Sequence, residues 1–313
     1  MSAPSSSSFV LLVLAGLFWG TGGVTGSALA ASSGLPAPAI AAYRLALGGG
    51  VLVALLLARR GTPPQSRAAW SRILAVAGLA AVFQCAYFAS VAVGSVSAAT
   101  LITIGSAPIF VVAAQIVRHR RRPSVAVART VLVGITGLGL LVGAPPAGNT
   151  LTGSLAGAGL AALSGAAFAA LTLLGRRPLV GVDVQAVTGC GFLVGGLGIA
   201  VVMAPFASLE FQPSARNLAL LVLLATVPTA LGYTLYFRGL RTASAATATV
   251  VALLEPLTGT VLAVVLLGDH VTPVGAAGAL LLLGSVLDAG RTQLRAQRRT
   301  GPRTEAALSQ VPA

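Results

Sequence analysis

ASAATATVVALLEPLTGTVLAVVLL, running from Ala243 to Leu267, is a stretch of 25 residues in which a single side chain, Glu255, carries a charge. Its length matches the hydrocarbon core of a bilayer, which one helix crosses in about 20 apolar residues. Glu255 stands twelve residues in, near the midplane, where an ionisable side chain costs about 2.5 to 3.5 kcal/mol on insertion scales. A residue kept at that cost points to a proton or substrate-ammonium site, or else to an ion pair or hydrogen bond inside a bundle. The next residue, Pro256, lacks a backbone donor and loosens the turn before it, leaving carbonyls that a cavity or a neighbour must satisfy.

Nine more apolar runs surround this one. They are expected near Phe9–Ala30, Ala37–Ala58, Arg72–Val93, Val96–Val117 and Val125–Gly143, and then near Thr152–Leu174, Asp183–Ala204, Arg216–Phe237 and Val271–Asp288, with Ala243–Leu267 as the ninth span of ten. The first run resembles the apolar core of a signal peptide, with Ala28-Leu29-Ala30 in the A-x-A form of a cleavage site. However, no basic residue precedes it and it is long enough to span, so it is read as the first transmembrane helix. Overall, 56% of the 313 residues are hydrophobic and 8% charged, against about 25% charged in a soluble domain. The expected fold is therefore an all-α integral membrane protein of ten transmembrane helices.

A net charge of +14 could suggest nucleic acid, but the basic residues are all Arg and sit in short clusters between the runs. Spaced basic clusters are what the positive-inside rule produces, and nucleic acid is excluded as a partner. The clusters fall in alternate loops: Arg59, Arg60, Arg67 and Arg72 after the second span, Arg118 to Arg122 after the fourth, Arg176 and Arg177 after the sixth, Arg238 and Arg241 after the eighth, and Arg291 to Arg303 after the tenth. A missed or invented helix would break this alternation. It places both termini in the cytoplasm and the chain in the cell (plasma) membrane.

The halves resemble each other at an offset of roughly 148 residues. AYF at Ala86–Phe88, SAAT at Ser97–Thr100 and Pro108 are answered in order by LYF at Leu235–Phe237, SAAT at Ser244–Thr247 and Pro256. The expected organisation is a short N-terminus (1–8), a first five-helix repeat (9–143), a Pro/Gly linker (144–151), a second repeat (152–290) and an Arg-rich tail (291–313), the tail read as loose. Five helices per repeat is an odd number, so the second copy is inverted in the bilayer, an arrangement found among transporters. Pro108 and Pro256, at corresponding places, are expected as paired helix breaks around a central site.

With two five-helix halves, Phe18-Trp19-Gly20, Arg44, the Ser/Ala-rich start and central Pro108 of the fourth span, and LLEPLTG at Leu253–Gly259, the chain resembles the EamA-type drug/metabolite transporter superfamily over about Phe9 to Asp288. The resemblance implies a ten-helix secondary carrier, often an exporter of amino acids or other small metabolites. Ala107 stands before Pro108 where Glu255 stands before Pro256, so the carboxylate exists in one half only.

The candidate substrate-binding residues are Glu255, Arg44, Gln84, Trp19, Tyr87 and Tyr233. Arg44 lies seven residues in from the outer end of its helix and can snorkel outward or pair with an acid or a substrate carboxylate. Gln84 is a carboxamide in mid-helix that needs partners, and the aromatic residues are packing or cavity-lining groups. Thr21, Tyr43, Thr103, Ser106 and Thr234 are weaker candidates for the same cavity. Asp288 is expected to pair with Arg291 at the cytoplasmic surface. Small-residue spacings at Gly16/Gly20, Gly22/Gly26, Gly139/Gly143 and Gly191/Gly195 are read as helix-packing surfaces.

Cys85 and Cys190 lack metal-ligand spacing, and neither H-E-x-x-H, a Gly-x-Ser-x-Gly elbow nor a Walker phosphate loop occurs. No metal, cofactor or enzymatic role is expected. The partners expected are a small-molecule substrate, the lipid bilayer and a proton as coupling ion, with a pore or a non-transporting scaffold as the alternative function.

Overall fold

The computed structural model describes residues 5–61, 64–93, 96–120, 123–143, 151–177, 179, 181–206, 208–268 and 270–308. The linker expected at 144–151 lies outside them apart from Leu151, where a helix begins. Every regular element among the described residues is helical: α1 (Ser5–Ser33), α2 (Ala37–Ala58), α3 (Arg67–Val93), α4 (Val96–His119), α5 (Val125–Val142), α6 (Leu151–Gly175), α7 (Val184–Met203), α8 (Ala215–Leu224), a π-helical segment (Ala225–Leu231), α9 (Gly232–Gly239), α10 (Ala245–Ala252), α11 (Leu254–Leu267) and α12 (Pro273–Leu308). Ten segments are long and apolar enough to cross a bilayer, with α8 to α9 forming the eighth and α10 with α11 the ninth. Several starts are set by side-chain caps: Ser124, Asp183, Ser214 and Ser244 accept from the N–H of Val127, Gln185, Asn217 and Thr247.

Two expectations of shape are corrected. α12 continues to Leu308, through the stretch read as a loose tail; its Arg, Gln, Ala and Leu residues favour a helix, while Gly301 and Pro302 within it do not. α4 runs unbroken through Pro108, whereas the ninth span is interrupted at Leu253, just before Glu255 and Pro256. A lone proline removes one hydrogen bond, which an otherwise well-packed helix can absorb. The breaks at Pro108 and Pro256 are thus not a pair.

The irregular element that the sequence reading missed is in the eighth span. Pro228 has no N–H to give the Leu224 carbonyl, and the chain widens there into the π segment instead of breaking. The Thr229 hydroxyl donates to that carbonyl at 2.8 Å.

Glycine seams set the helix pairs. α2 lies against α7 with Gly49 on the Leu193 backbone and Gly196 on that of Ala46, and α5 lies against α12 with Gly137 and Gly278 on the Leu282 and Leu141 backbones. α3 and α4 both pack on α6, while α8 to α9 and α10/α11 both pack on α1. The pairing in one half thus has its counterpart in the other. Of the small-residue spacings, Gly16/Gly20 faces α10 and α11 and Gly191/Gly195 faces α3, whereas a Cβ added at Gly26 or Gly139 would meet no described residue of another helix within 4 Å. Among the described residues the one ion pair is Arg129 with Asp288 at 3.0 Å, tying α5 to α12, so Asp288 looks to the neighbouring helix and not to Arg291.

Candidate transport site

A cavity of about 340 Å³ opens among the C-terminal half of α1, the N-terminal half of α2, the end of α3 and the start of α4. This is the face opposite the Arg clusters. All six candidate binding residues, Trp19, Arg44, Gln84, Tyr87, Tyr233 and Glu255, line it. Pro108 and Pro256 do not. Of the weaker candidates Thr103 lines it, while the Tyr43 hydroxyl donates to the Leu209 carbonyl away from it, Thr21 bonds its own helix, Ser106 lies against Gly165, and Thr234 borders a separate crevice at the other face.

The polar groups are brought in by irregular backbone. Glu255 lies in the first turn of α11, two residues after the break at Leu253, and its carboxylate makes no hydrogen bond or ion pair among the described residues. Arg44 reaches across to the π segment, where its Nε donates to Thr229 Oγ1 at 3.0 Å, and its guanidinium lies beside Gly22 of α1. Thr229 therefore relays: it accepts from Arg44 and donates to Leu224. The terminal nitrogens of Arg44 keep no partner among the described residues. Arg44 and Glu255 lie within electrostatic reach of each other but are not joined at 4.0 Å or less. Gln84 is 5% exposed and its carboxamide bonds no other described residue, which leaves its donors and acceptor to the cavity. The Tyr87 hydroxyl pairs with Thr100 Oγ1 at 2.9 Å.

Below these groups lies an aromatic floor. Trp19 meets Phe168, Tyr233 and Tyr236 at ring-centroid distances of 5.7, 5.0 and 4.8 Å, and Phe192 stands edge-on to Tyr233 at 4.6 Å. These rings pack closely beneath the cavity. Among the described residues the buried Trp19 Nε1 has no partner; it lies over Gly232, where a side chain would fill its space. Thr229, Phe83 and Phe168 escaped the sequence reading, and Phe88 entered it only through the Ala86–Phe88 repeat match. Mid-helix Thr and Phe are common in membrane spans, and only the offset repeat, which aligns Phe168 with Trp19, gave a signal for one of them.

The arrangement offers one cationic and one anionic group, mutually unpaired, with an amide between apolar and aromatic walls. Such a set can hold a small dipolar molecule, and it contains no nucleophile paired with a base.

Comparison with known proteins agrees with this architecture. The model of the EamA-like transporter family matches the chain twice, over residues 6–143 and 155–288. The chain is 28% identical over 279 residues to "Uncharacterized transporter YwfM" of Bacillus subtilis (strain 168), covering 88% of this chain and 91% of that protein. A solved structure described only as "Crystal structure of protein" has the same fold, with a TM-score of 0.79 at 21% identity, covering 93% of this chain and 98% of that one. With both halves matched and ten apolar helices around a central cavity, the chain belongs to the EamA-like transporter family and is a multi-pass membrane transporter.

Proposed function

We propose that the protein is a secondary carrier of the plasma membrane that exports a small, amino acid-like zwitterion by alternating access. The observation that carries this reading is that Arg44 and Glu255 face one cavity without pairing. A substrate carboxylate meets the free nitrogens of Arg44, its ammonium meets Glu255, Gln84 bonds either end, and the aromatic wall takes the side chain. The volume is at the small end of ligand pockets, which suits a single metabolite. A proton that takes the substrate's place at Glu255 supplies the coupling.

Orientation follows from charge. With the Arg clusters inside, the cavity faces outward, the aromatic floor closes the inner side and both termini are cytoplasmic. The reciprocal helix pairing supports an inverted repeat of residues 9–143 and 152–290, and such repeats exchange conformations to open the opposite side. The export direction rests on what the resemblance to the family implies.

Counterflow in proteoliposomes tests the reading. Vesicles loaded with a mixture of neutral amino acids should transiently accumulate an external labelled one, because a carrier exchanges and a pore does not. Equilibration without overshoot for every solute carried would favour a pore, and no flux of any solute a scaffold.

A further inference from the structure

The inner face is closed by one pair of aromatic residues. The Phe237 ring fills the notch at Gly175 near the end of α6, where a Cβ would fall 2.6 Å from Cδ1 and Cε1. One residue earlier the Tyr236 hydroxyl pairs with Thr172 Oγ1 at 2.7 Å. Both rings are buried, at 4% and 1% exposure, and Phe237 bounds two crevices on this face, of about 40 and 440 Å³.

The outer face holds the same parts, apart. Tyr87 and Phe88 stand 149 residues before Tyr236 and Phe237, and Gly26 stands 149 residues before Gly175. Phe88 and Gly26 both line the open cavity, Phe88 is only half-buried, and Gly26 and Gly23 have nothing within 4 Å of where a side chain would sit. The register is anchored independently of this comparison. Gly16 of α1 packs on the Val251 carbonyl and Leu254, and Gly165 of α6, again 149 residues on, packs on the Thr103 carbonyl and Ser106, the corresponding residues of the fourth span. Thr172 answers to Gly23, so α1 offers the outer pair no hydroxyl, and Tyr87 pairs with Thr100 of α4 instead.

We propose that Gly26 and Phe88 form the outer gate: the Phe88 ring seats on Gly26 as Phe237 seats on Gly175, and one seat fills as the other empties. The proposal rests on the alternating-access reading above. The inner seat holds more tightly, because Tyr236 bonds Thr172 of the same helix as Gly175, whereas Tyr87 bonds Thr100 of α4 and not α1, and because Arg72 Nη1 donates to the Leu174 and Arg177 carbonyls beside it, at 2.6 and 2.9 Å. Leu221 and Gly23 stand at the corresponding outer places and offer no such bonds.

The test uses the full chain with Cys85→Ala and Cys190→Ala, and Ile104→Cys as a reporter in the cavity, labelled by an impermeant maleimide from either side of oriented vesicles. Gly175→Leu should evict Phe237, and Phe237→Ala should empty the seat without added bulk, covering the case in which the bulky variant does not fold. Either should raise labelling from the inside and lower labelling from the outside by roughly tenfold, a modest shift between two states. In the same background, Gly26→Cys with Phe88→Cys, carried without the reporter, should cross-link with copper phenanthroline, and should not do so when the inner seat is intact. Outside labelling that falls without a cross-link would overturn the gate and leave alternating access standing. Labelling that rises inside and persists outside would overturn both, and labelling unchanged on both sides in folded variants would remove Phe237, and with it the proposal.

Discussion

Arg44 and Glu255 sit in the same cavity, but the structure meets their costs differently. Arg44 is anchored by Thr229, while Glu255 relies on the cavity. Since they are near each other but not joined, Glu255→Gln should fold and insert normally, and adding Arg44→Gln should show a coupling of under about 1 kcal/mol, against up to about 3 for residues in contact. Recovery of stability in the double variant would mean that they are a pair. Thr229→Val removes both the acceptor for Arg44 and the bond to Leu224, and should cost about 1 to 3 kcal/mol and weaken substrate binding. Tyr43→Phe, which loses a bond to Leu209 outside the cavity, should lower stability by about 0.5 to 1.5 kcal/mol and leave binding unchanged. Unfolding in detergent and a ligand titration separate these outcomes. That Glu255 and Gln84 face the interior could be read from sequence, because a short polar group at membrane depth has nowhere else to go, whereas the sequence leaves Arg44 open because its long side chain can also snorkel outward. Thr229 could not, since a helical Thr ordinarily bonds its own backbone and no spacing marks the one that also holds an arginine.

At the scale of elements, seams and irregular turns divide the labour. Gly49 and Gly50 are adjacent in α2, but Gly49 meets the α7 backbone and Gly50 meets nothing within 4 Å. Gly49→Ala should therefore lower stability by about 1 to 3 kcal/mol, because backbone on both sides cannot yield, while Gly50→Ala should be neutral or gain up to about 1 kcal/mol from helix propensity. Equal effects would show that α2 and α7 do not pack as described. Which glycines are seams was not legible, because Gly-x-x-x-Gly recurs on exposed and buried faces alike. The eighth span read as a plain apolar helix, although Pro228 was in view, because a proline marks a disturbance without saying whether the helix breaks, kinks or widens. The same limit explains Pro108 and Pro256, which look equivalent in sequence and differ in the packing around them.

For the whole molecule, the count of ten spans was carried by charge as much as by hydropathy, since the Arg clusters keep time with the loops. On the proposed orientation, a reporter active only in the cytoplasm and fused after Ala313 should give signal, and one fused after Asn149 should not. The reverse result would overturn the orientation. What charge and periodicity could not give is the lateral arrangement that brings α2, α3, α8 and α11 around one cavity, because neighbours across a bundle leave no mark on spacing along the chain. The central claim, that this cavity holds a zwitterion between Arg44 and Glu255, is tested most directly by thermal shift of the purified protein against amino acids, their decarboxylated amines and their deaminated acids. The account predicts that at least one amino acid raises the midpoint, a ligand at a hundredfold its Kd adding about 2.7 kcal/mol. It predicts that the matching amine and acid do not, and that the shift is lost in folded Glu255→Gln and Arg44→Gln. An amino acid whose shift survives in both variants would contradict it.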